Sequence, residues 1–387
     1  MSVSVEREKG QDIRSVSTVI NGNSLLRSRI GNKSDHSEPP SAKLESFPVT
    51  DKVADDRNQE DMVNSPTYKD HARSPYNGDP NLPLYRIEHI PLYLRDNEYI
   101  ITGYRSYYNT KMCLLSMFRL HNETFNIWTH LAGALIFVVL IVYLFWSLLI
   151  PDYLSKSSFH TVTTPYGNDK PIHSCEKRSV LPFVIFGFYS FGCLICMVCS
   201  TCYHTFIGHI SEKIYNWAHM CDYFGITFLV VGSFVPFCYY VFSRNPFWRN
   251  VYLGMIFSFG VVGLFGPFFR QWTSAAFASK KIMFYVCMVS SGMFPILHIA
   301  FLLPKDIGSP YLTGLLMMMA LYGIGVFFYI FKLPEVFYPG KFDFYFSSHQ
   351  IWHVFVLAAA LTHFFNCIRM YADVGKTMCV INNVQWR

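Results

Sequence analysis

The chain has 387 residues, of which 51% are hydrophobic and 18% aromatic, whereas only 15% are charged. This composition excludes an ordinary soluble domain and indicates a membrane protein. The formal net charge of +6 is spread along the chain rather than gathered in one block, which argues against nucleic-acid binding and favours contact with an anionic lipid surface.

Residues 1–83 predict a disordered N-terminal tail. They are rich in Ser, Asn, Asp, Lys and Pro and carry scattered single hydrophobic residues. Such a composition cannot bury enough apolar surface to offset the loss of chain entropy on folding. The first ten residues, MSVSVEREKG, lack the apolar core of a signal peptide, so we expect the first membrane span to direct insertion.

Residues 84–123 predict a juxtamembrane segment. The stretch NLPLYRIEHIPLYLRDNEYIITGYRSYYNTKMCLLSMFRL mixes aromatic, aliphatic and charged residues and contains two prolines. This mixture is typical of a short helix that lies in the membrane interface with its apolar face towards lipid. It is also the segment on which we expect a cytosolic partner to dock, although simple contact with lipid explains the pattern equally well.

Seven long apolar runs follow this segment and predict membrane-spanning helices. Each run is close to the roughly 20 residues that a helix needs to cross the hydrocarbon layer, and the central turns contain no lysine or arginine. The runs cover residues 124–150, 180–204, 218–242, 248–269, 282–303, 311–331 and 346–368.

The connections between the runs indicate how the helices are arranged. Apart from the long connection over residues 151–179, the connections are short, so consecutive helices become antiparallel neighbours. The fold class is therefore predicted as an all-α membrane protein. It consists of a disordered N-terminal tail, a seven-transmembrane helix bundle over residues 124–370 and a short C-terminal tail over residues 371–387.

A run of cysteines in the second span resembles a metal-binding motif at first sight. Cys193, Cys196, Cys199 and Cys202 recur every three residues. On a helix each step of three residues turns by about 300°, so the four thiols point in different directions and cannot meet at one ion. We interpret them as packing residues, because free cysteine is among the most buried residue types.

Five polar residues are predicted to lie at one depth on one membrane face. With seven spans, the end of the second and the starts of the third and seventh lie on the same side. These ends carry Ser200 and His204, Asp222, and the pair His349 and His353. Residues four apart share a helix face. Ionisable residues inside spans usually point into the bundle and are candidates for function.

The three histidines of this set predict a zinc site. Zinc binds neutral imidazoles in a tetrahedral arrangement, and three protein ligands leave one position open for water. Asp222 and Ser200 are then candidate catalytic residues that hold or deprotonate this water. A purely hydrogen-bonded polar network is the alternative. His209 and His219, in the connection on the same face, are possible substitutes for His204.

Three other histidines are predicted to be ordinary core or interface residues. They are His130, His298 and His363.

Several motifs of the chain resemble one known family. They are SMFRLHNETFNIWTHLAG, STCYH, CDYFG and LPEVFYPGKFDFYFSSHQIWH. Together they resemble the progestin and adipoQ receptors, which are related to the haemolysin-III proteins and more distantly to alkaline ceramidases. The resemblance covers about residues 90–370. It implies a zinc ion held by His204, His349 and His353, with Asp222 and Ser200 near the metal water, and a cytosolic N-terminus.

The implied orientation has a consequence for glycosylation. The sequons at Asn32 and Asn122 would be cytosolic and unglycosylated.

The first functional hypothesis is a non-enzymatic receptor or scaffold. The stretches LRDNEYIITGYR and SSHQIWH resemble a branch of the family that traps Raf kinase at the Golgi, which implies that the protein recruits a cytosolic Raf-like kinase to the Golgi membrane. The plasma membrane is the alternative location, and a membrane lipid or a hormone is the candidate ligand. The long N-terminal tail departs from the short tail expected in that branch.

The second hypothesis is a zinc-dependent hydrolase that cleaves a lipid amide such as ceramide. Zinc can lower the pKa of bound water to about 7, and Asp222 would assist as a base. A closed structural zinc site needs a fourth protein ligand, and none is apparent in the sequence. A heterotrimeric G-protein-coupled receptor is a weaker third hypothesis, because the implied membrane orientation is the opposite one.

Overall fold

The computed structural model describes residues 81–155, 179–269, 272, 277–302 and 305–384. Within these ranges, seven helices are long and apolar enough to cross a membrane. This finding confirms the predicted all-α, seven-span architecture. Residues 1–80 of the predicted disordered tail lie outside the described residues, as does the sequon at Asn32.

We number the spans 1 to 7 in chain order. They cover Thr124–Ser155, Leu181–Phe206, Glu212–Val241, Pro246–Phe268, Ser279–Leu302, Tyr311–Phe331 and Ser348–Asp373. Most bounds lie within a few residues of the predicted runs. Span 3 begins before the predicted residue 218, because Glu212 and Lys213 form its first turn although they are charged.

The spans contain the following helices. Span 1 consists of Thr124–Leu144, a π-helical turn at Phe145–Leu149 and Ile150–Ser155. Spans 2 and 3 are the single helices Leu181–Phe206 and Glu212–Val241. Span 4 is Pro246–Phe265 with the 3-10 turn Gly266–Phe268, and span 5 comprises Ala278–Ser290 and Met293–Leu302. The helix of span 6 is Lys305–Phe331, and that of span 7 is Ser348–Val384.

The bundle has an apolar interior and an apolar outer surface. Phe137, Phe186 and Phe364 are fully buried in its main core, whereas Val139 and Trp146 of span 1 are strongly exposed. A helix satisfies its own backbone hydrogen bonds, so hydrophobic side chains can face lipid on one side and the core on the other. The exposed apolar belt is therefore the surface that the bilayer covers.

Spans 2 and 3 approach each other closely at two glycines. A Cβ atom at Gly192 would lie 2.5 Å from the carbonyl oxygen of Phe228, and one at Gly225 would lie 2.8 Å from the Cα atom of Cys196. Small residues let membrane helices pack backbone against backbone. Cys193 and Cys196 are buried at this contact, in agreement with their interpretation as packing residues. The close approach brings the end of span 2 next to the start of span 3.

The segment before span 1 covers the end of the bundle where these two helices meet. Strands β1 (Leu84–Tyr85) and β2 (Tyr104–Arg105) pair antiparallel, and helix α1 (Thr110–Ser116) follows. Short 3-10 turns lie at Ile87–His89 and Leu92–Leu94. Hydrophobic residues of the segment form a second core with Tyr203, Tyr215 and Ala218 of spans 2 and 3. That α1 lies in the membrane interface stays a prediction, and its exposed Leu114 and Leu115 agree with it.

Two buried carboxylates of the loop between spans 6 and 7 fasten this segment. Asp343 accepts hydrogen bonds from the backbone N–H groups of Ile101, at 2.9 Å, and Thr102, at 2.8 Å, and from the Thr102 hydroxyl at 2.6 Å. Glu335 accepts one from the Asn97 amide at 3.0 Å and further ones from the backbone N–H, at 2.8 Å, and hydroxyl of Ser348. Glu335 thereby satisfies an N–H group at the start of span 7.

We expect Asp343→Asn to destabilise the protein markedly. The amide cannot accept all the bonds that the carboxylate accepts, and each hydrogen bond to a charged group contributes about 1.5–3 kcal/mol. Thermal unfolding of the purified protein in detergent measures the effect. Glu88→Gln is the control, because its pair with Arg86 is exposed and such pairs contribute little. An equal decrease of the unfolding temperature in the two variants would contradict the stabilising role of Asp343.

Candidate metal centre

Three histidines converge at the end of the bundle that the N-terminal segment covers. One ring nitrogen from each of His204, His349 and His353 lies within 4.8 Å of the other two. The Nε2 atoms of His204 and His349 are 3.3 Å apart. A tetrahedral ion with metal–nitrogen bonds of about 2.1 Å holds its ligands about 3.4 Å apart. The spacing therefore suits a metal ion.

The three rings form an almost regular triangle. Their centroids are separated by 5.0 Å for His204 and His349, 4.8 Å for His204 and His353, and 4.9 Å for His349 and His353. His204 comes from the last turns of span 2, and the other two come from successive turns of span 7. The end of span 2 and the start of span 7 lie on the same side of the bundle, as predicted, and this brings the three rings together.

A half-buried carboxylate orients one of the rings. The Nδ1 atom of His204 lies 2.8 Å from Oε2 of Glu123, and the Asn126 amide donates to the same oxygen at 2.7 Å. With its proton on Nδ1, His204 presents an unprotonated Nε2 to an ion. Burial opposes the charge of Glu123, but its hydrogen bonds with His204 and Asn126 hold its pKa well below the usual value.

The backbone of Glu123 is itself held in place by a neutral histidine. The N–H group of Glu123 donates to Nδ1 of His121 at 3.1 Å, so the other nitrogen of that ring donates to the carbonyl of Ser116, also at 3.1 Å. Burial, helped by the charge of Arg105, lowers the pKa of His121 to about 2. This ring therefore stays neutral and keeps one donor and one acceptor.

Arg105 anchors the end of span 2 directly beside the metal ligand. Its guanidinium donates to the carbonyl oxygens of His204 and, at 3.1 Å, of Thr205, and to the Ser116 hydroxyl at 2.7 Å. The last carbonyl groups of a helix have no partner within the helix and carry partial negative charge. The buried guanidinium of Arg105 gives these carbonyl groups hydrogen-bond donors and balances their partial negative charge. It thereby fixes the backbone of His204.

Asp222 and Ser200 lie near the three histidines. Ser200 is buried one turn before His204, and Asp222 lies close to Ser200 and within electrostatic range of His204. In the described part of the chain, no fourth His, Cys, Asp or Glu joins the three ligands. The centre thus combines three histidines that could hold a metal ion with a nearby carboxylate and hydroxyl that could hold water.

The two possible substitutes for His204 lie outside the centre. His209 accepts from the N–H group of Ser211 at 2.8 Å and contacts the Thr110 hydroxyl at 3.2 Å. His219 stacks on Tyr203, with ring centroids 5.0 Å apart. Neither residue belongs to the group of converging ligands.

The three histidines interpreted as core residues have other surroundings. His298 contacts the Tyr252 hydroxyl at 2.7 Å, and His363 contacts the Ser233 carbonyl at 2.8 Å. His130 is buried too, but its ring stacks on the metal ligand His353 at 3.7 Å between centroids. It therefore supports the centre, which the sequence did not indicate.

Sequence reasoning missed Glu123 and Arg105. Glu123 lies within the motif SMFRLHNETFNIWTHLAG, but in the sequence alone its triplet NET indicates a glycosylation sequon. Its position directly before span 1, at the same membrane face as the histidines, is a signal that could have identified it. The neighbouring Asn122 is buried, which does not favour glycosylation.

The fold and the centre define a class of protein: a seven-span membrane protein with a three-histidine centre at one end of the bundle. Residues 118–364 match the family model described as Haemolysin-III related. The chain therefore belongs to this family, which confirms the resemblance to the progestin and adipoQ receptors.

Three relatives illustrate the breadth of the family. Heptahelical transmembrane protein 5 of Arabidopsis thaliana is 32% identical over 333 residues, which cover 73% of this chain and 89% of the relative. Progestin and adipoQ receptor family member 3 of Homo sapiens is 31% identical over 292 residues, covering 74% and 85%. The adiponectin receptor protein of Drosophila melanogaster is 29% identical over 280 residues, covering 72% and 57%.

We expect Glu123→Gln to weaken metal binding about 10- to 100-fold, the usual effect of removing the partner of a metal-binding histidine. The neutral amide no longer favours the Nδ1–H form of His204. Competition with a chromophoric chelator measures the affinity. Glu98→Gln is the control, since Glu98 is exposed on the same segment. Equal affinities of the two variants would show that Glu123 does not orient the ligand.

Proposed function

We propose that the three-histidine centre binds zinc. The donor set supports this metal. Three neutral imidazoles suit zinc, whereas copper(I) and iron–sulfur clusters are usually bound by thiolates, which are missing among these ligands. The separation of 3.3 Å between the Nε2 atoms of His204 and His349 fits a tetrahedral ion. Thr129 supports the third ligand, since its hydroxyl lies 3.4 Å from Nδ1 of His353.

We further propose that the protein is a zinc-dependent hydrolase of a lipid amide such as ceramide. The observation that carries this proposal is a group of three histidines that could hold a metal ion, with the half-buried carboxylate of Asp222 and the buried hydroxyl of Ser200 nearby. Structural zinc sites are closed by four protein ligands, whereas catalytic sites use three. When bound, zinc supplies a Lewis acid that makes water a nucleophile near neutral pH.

The residues of the chain then have distinct roles in the reaction. Asp222 accepts a proton from water, and the nearby Ser200 hydroxyl would hold that water by a hydrogen bond. Glu123 keeps His204 in the required tautomer. After amide cleavage, protonated Asp222 returns the proton to the leaving amine.

The bundle contains an apolar cavity that suits a lipid substrate. A narrow cavity lies between spans 3, 5 and 6, and its lining is almost wholly apolar. The lining includes Phe234, Phe237, Ile296, Leu315, Met318 and Met319. An acyl chain that enters from the bilayer matches the chemistry of this lining.

A second candidate function is recruitment of a cytosolic Raf-like kinase to the Golgi membrane. The 31% identity with progestin and adipoQ receptor family member 3 supports it, as do the exposed apolar residues of α1. In this case zinc joins spans 2 and 7 and stabilises the bundle. The N-terminus would be cytosolic, the plasma membrane would be the alternative location, and a lipid or hormone would be the ligand.

Metal analysis tests the zinc site. We expect about one zinc ion per chain in the purified protein and almost none in His204→Ala or His349→Ala, because two histidines hold zinc far more weakly than three. His298→Ala is the control, since its ring contacts Tyr252 instead. Elemental analysis after gel filtration gives the content, and full zinc content in His349→Ala would contradict the site.

Hydrolysis of labelled ceramide separates the two functions. We expect zinc-dependent release of fatty acid in nanodiscs, reduced about 100- to 10,000-fold in Asp222→Asn, the usual contribution of a general base. Asp373→Asn, at the other end of the bundle, is the control. Release by zinc-loaded Asp222→Asn at the full rate would refute the role of Asp222. Absence of turnover, together with kinase recruitment by both variants, would favour the scaffold.

A further inference from the structure

His130 of span 1 is a buried imidazole whose two ring nitrogens have no hydrogen-bond partner among the described residues. Only 4% of the residue is exposed. Its ring lies flat against that of His353, with centroids 3.7 Å apart and an interplanar angle of 15°. This contact uses the face of the ring and leaves the nitrogens at its edge without a partner. A neutral imidazole has one donor and one acceptor, and burial of either without a partner is costly.

Asn126, one helical turn before His130, also has an unpartnered atom. Only 4% of the residue is exposed, and its Oδ1 atom has no partner in the described part of the chain. The amide nitrogen donates to Oε2 of Glu123 at 2.7 Å. Because a carboxylate oxygen only accepts, this bond determines which end of the amide is the oxygen. The unpartnered atom is therefore an acceptor that needs an N–H or O–H donor.

The two side chains lie on one face of the same helix. Both belong to Thr124–Leu144, and residues four apart on a helix have Cβ atoms about 5–6 Å apart. Two hydrogen bonds of about 2.8 Å each, joined at one oxygen atom, span about 4.5–5.5 Å. The unpartnered atoms of Asn126 and His130 do not bond to each other. The spacing therefore suits one small molecule that contacts both side chains.

The chemistry of the pair identifies this molecule as water. Asn126 needs a donor, His130 offers a donor or an acceptor depending on its tautomer, and water serves as both. Buried waters typically bond to polar groups that are otherwise unsatisfied. An apolar molecule would leave both groups unsatisfied. A cation is disfavoured, because the position lies beside His353, a ligand of the proposed zinc ion, and like charges repel.

This position joins the supports of two of the three converging histidines. Asn126 donates to Glu123, which contacts Nδ1 of His204 at 2.8 Å, and His130 stacks on His353. A molecule between Asn126 and His130 therefore links a ring of span 2 with a ring of span 7 through one face of span 1. Contacts of this kind, outside the ligands themselves, fix the orientation of metal-binding rings.

We propose that Asn126 and His130 bind a buried water molecule that holds both side chains in place behind the metal ligands. Both are thereby positioning residues, because Asn126 acts through Glu123 and His130 acts through His353. The effect on metal binding rests on the proposed zinc site. The water site itself does not require that the centre hydrolyses a substrate.

A density map of the metal-loaded protein at about 2 Å resolution tests the site. We expect a peak within about 2.7–3.2 Å of both Asn126 Oδ1 and one ring nitrogen of His130. The peak should vanish in His130→Phe, which keeps an aromatic ring but has no nitrogen. It should remain in the matched control His298→Phe, since His298 contacts Tyr252 instead. Contacts of about 2.3–2.6 Å would indicate a cation, and this result, like a map without a peak, would overturn the proposal.

A double-mutant cycle tests the link between the two residues. Competition with a chromophoric chelator gives the zinc affinity of His130→Phe, Asn126→Leu and the double variant. If one water joins the side chains, the first change already removes it and the second change costs less. The double variant should therefore bind zinc about threefold or more tightly than the two separate losses predict when multiplied. Losses that multiply without this difference would contradict the bridge.

The map also separates this proposal from the proposed zinc site. A metal peak among the three histidines without a water peak at His130 would overturn the water site alone. A water peak without a metal peak would overturn the zinc site alone. Circular dichroism checks the folding of each variant, and the map of the unmodified protein decides the question where a variant does not fold.

Discussion

The hydrogen-bonded pair of Glu123 and His204 is the contact on which the metal centre depends. It joins the residue directly before span 1 to the last turns of span 2 in surroundings where an unpaired charge would be costly. The carboxylate needs the imidazole N–H group, and the imidazole needs the carboxylate to present its other nitrogen. Arg105 also donates a hydrogen bond to the backbone carbonyl of His204. The side chain and the backbone of one ligand are therefore fixed by residues outside the spans.

The other two ligands are positioned by an equivalent arrangement. Glu335 binds Ser348, directly before His349, and the same carboxylate accepts a hydrogen bond from Asn97 of the N-terminal segment. His349 and His353 are thus tied to the segment that also carries Arg105. The three histidines lie far apart along the chain, but the N-terminal segment supports all of them. A change in this segment is therefore expected to alter the positions of all three rings. The segment is part of the centre and not a mere extension of the bundle.

The membrane explains which parts of this arrangement could be predicted. The need to satisfy backbone groups in lipid makes each apolar run a helix, and the order of the spans then determines the depth of His204, Asp222 and His349. Depth does not determine which way a side chain points around the helix axis. The sequence alone therefore leaves His219 as a possible metal ligand in place of His204. Glu123 and Arg105 lie in a segment without helical or strand periodicity, where no such rule applies.

The location of the centre also limits how a ligand reaches it. The N-terminal segment packs a hydrophobic core against Tyr203 and Tyr215, so the described residues cover the centre on its aqueous side. Between the spans, the interior is apolar and contacts the bilayer directly. The hydrogen bonds of Asp343 hold that segment in place. The apolar bundle around the centre therefore agrees with the proposed lipid substrate, whose polar group would lie at the depth of the histidines.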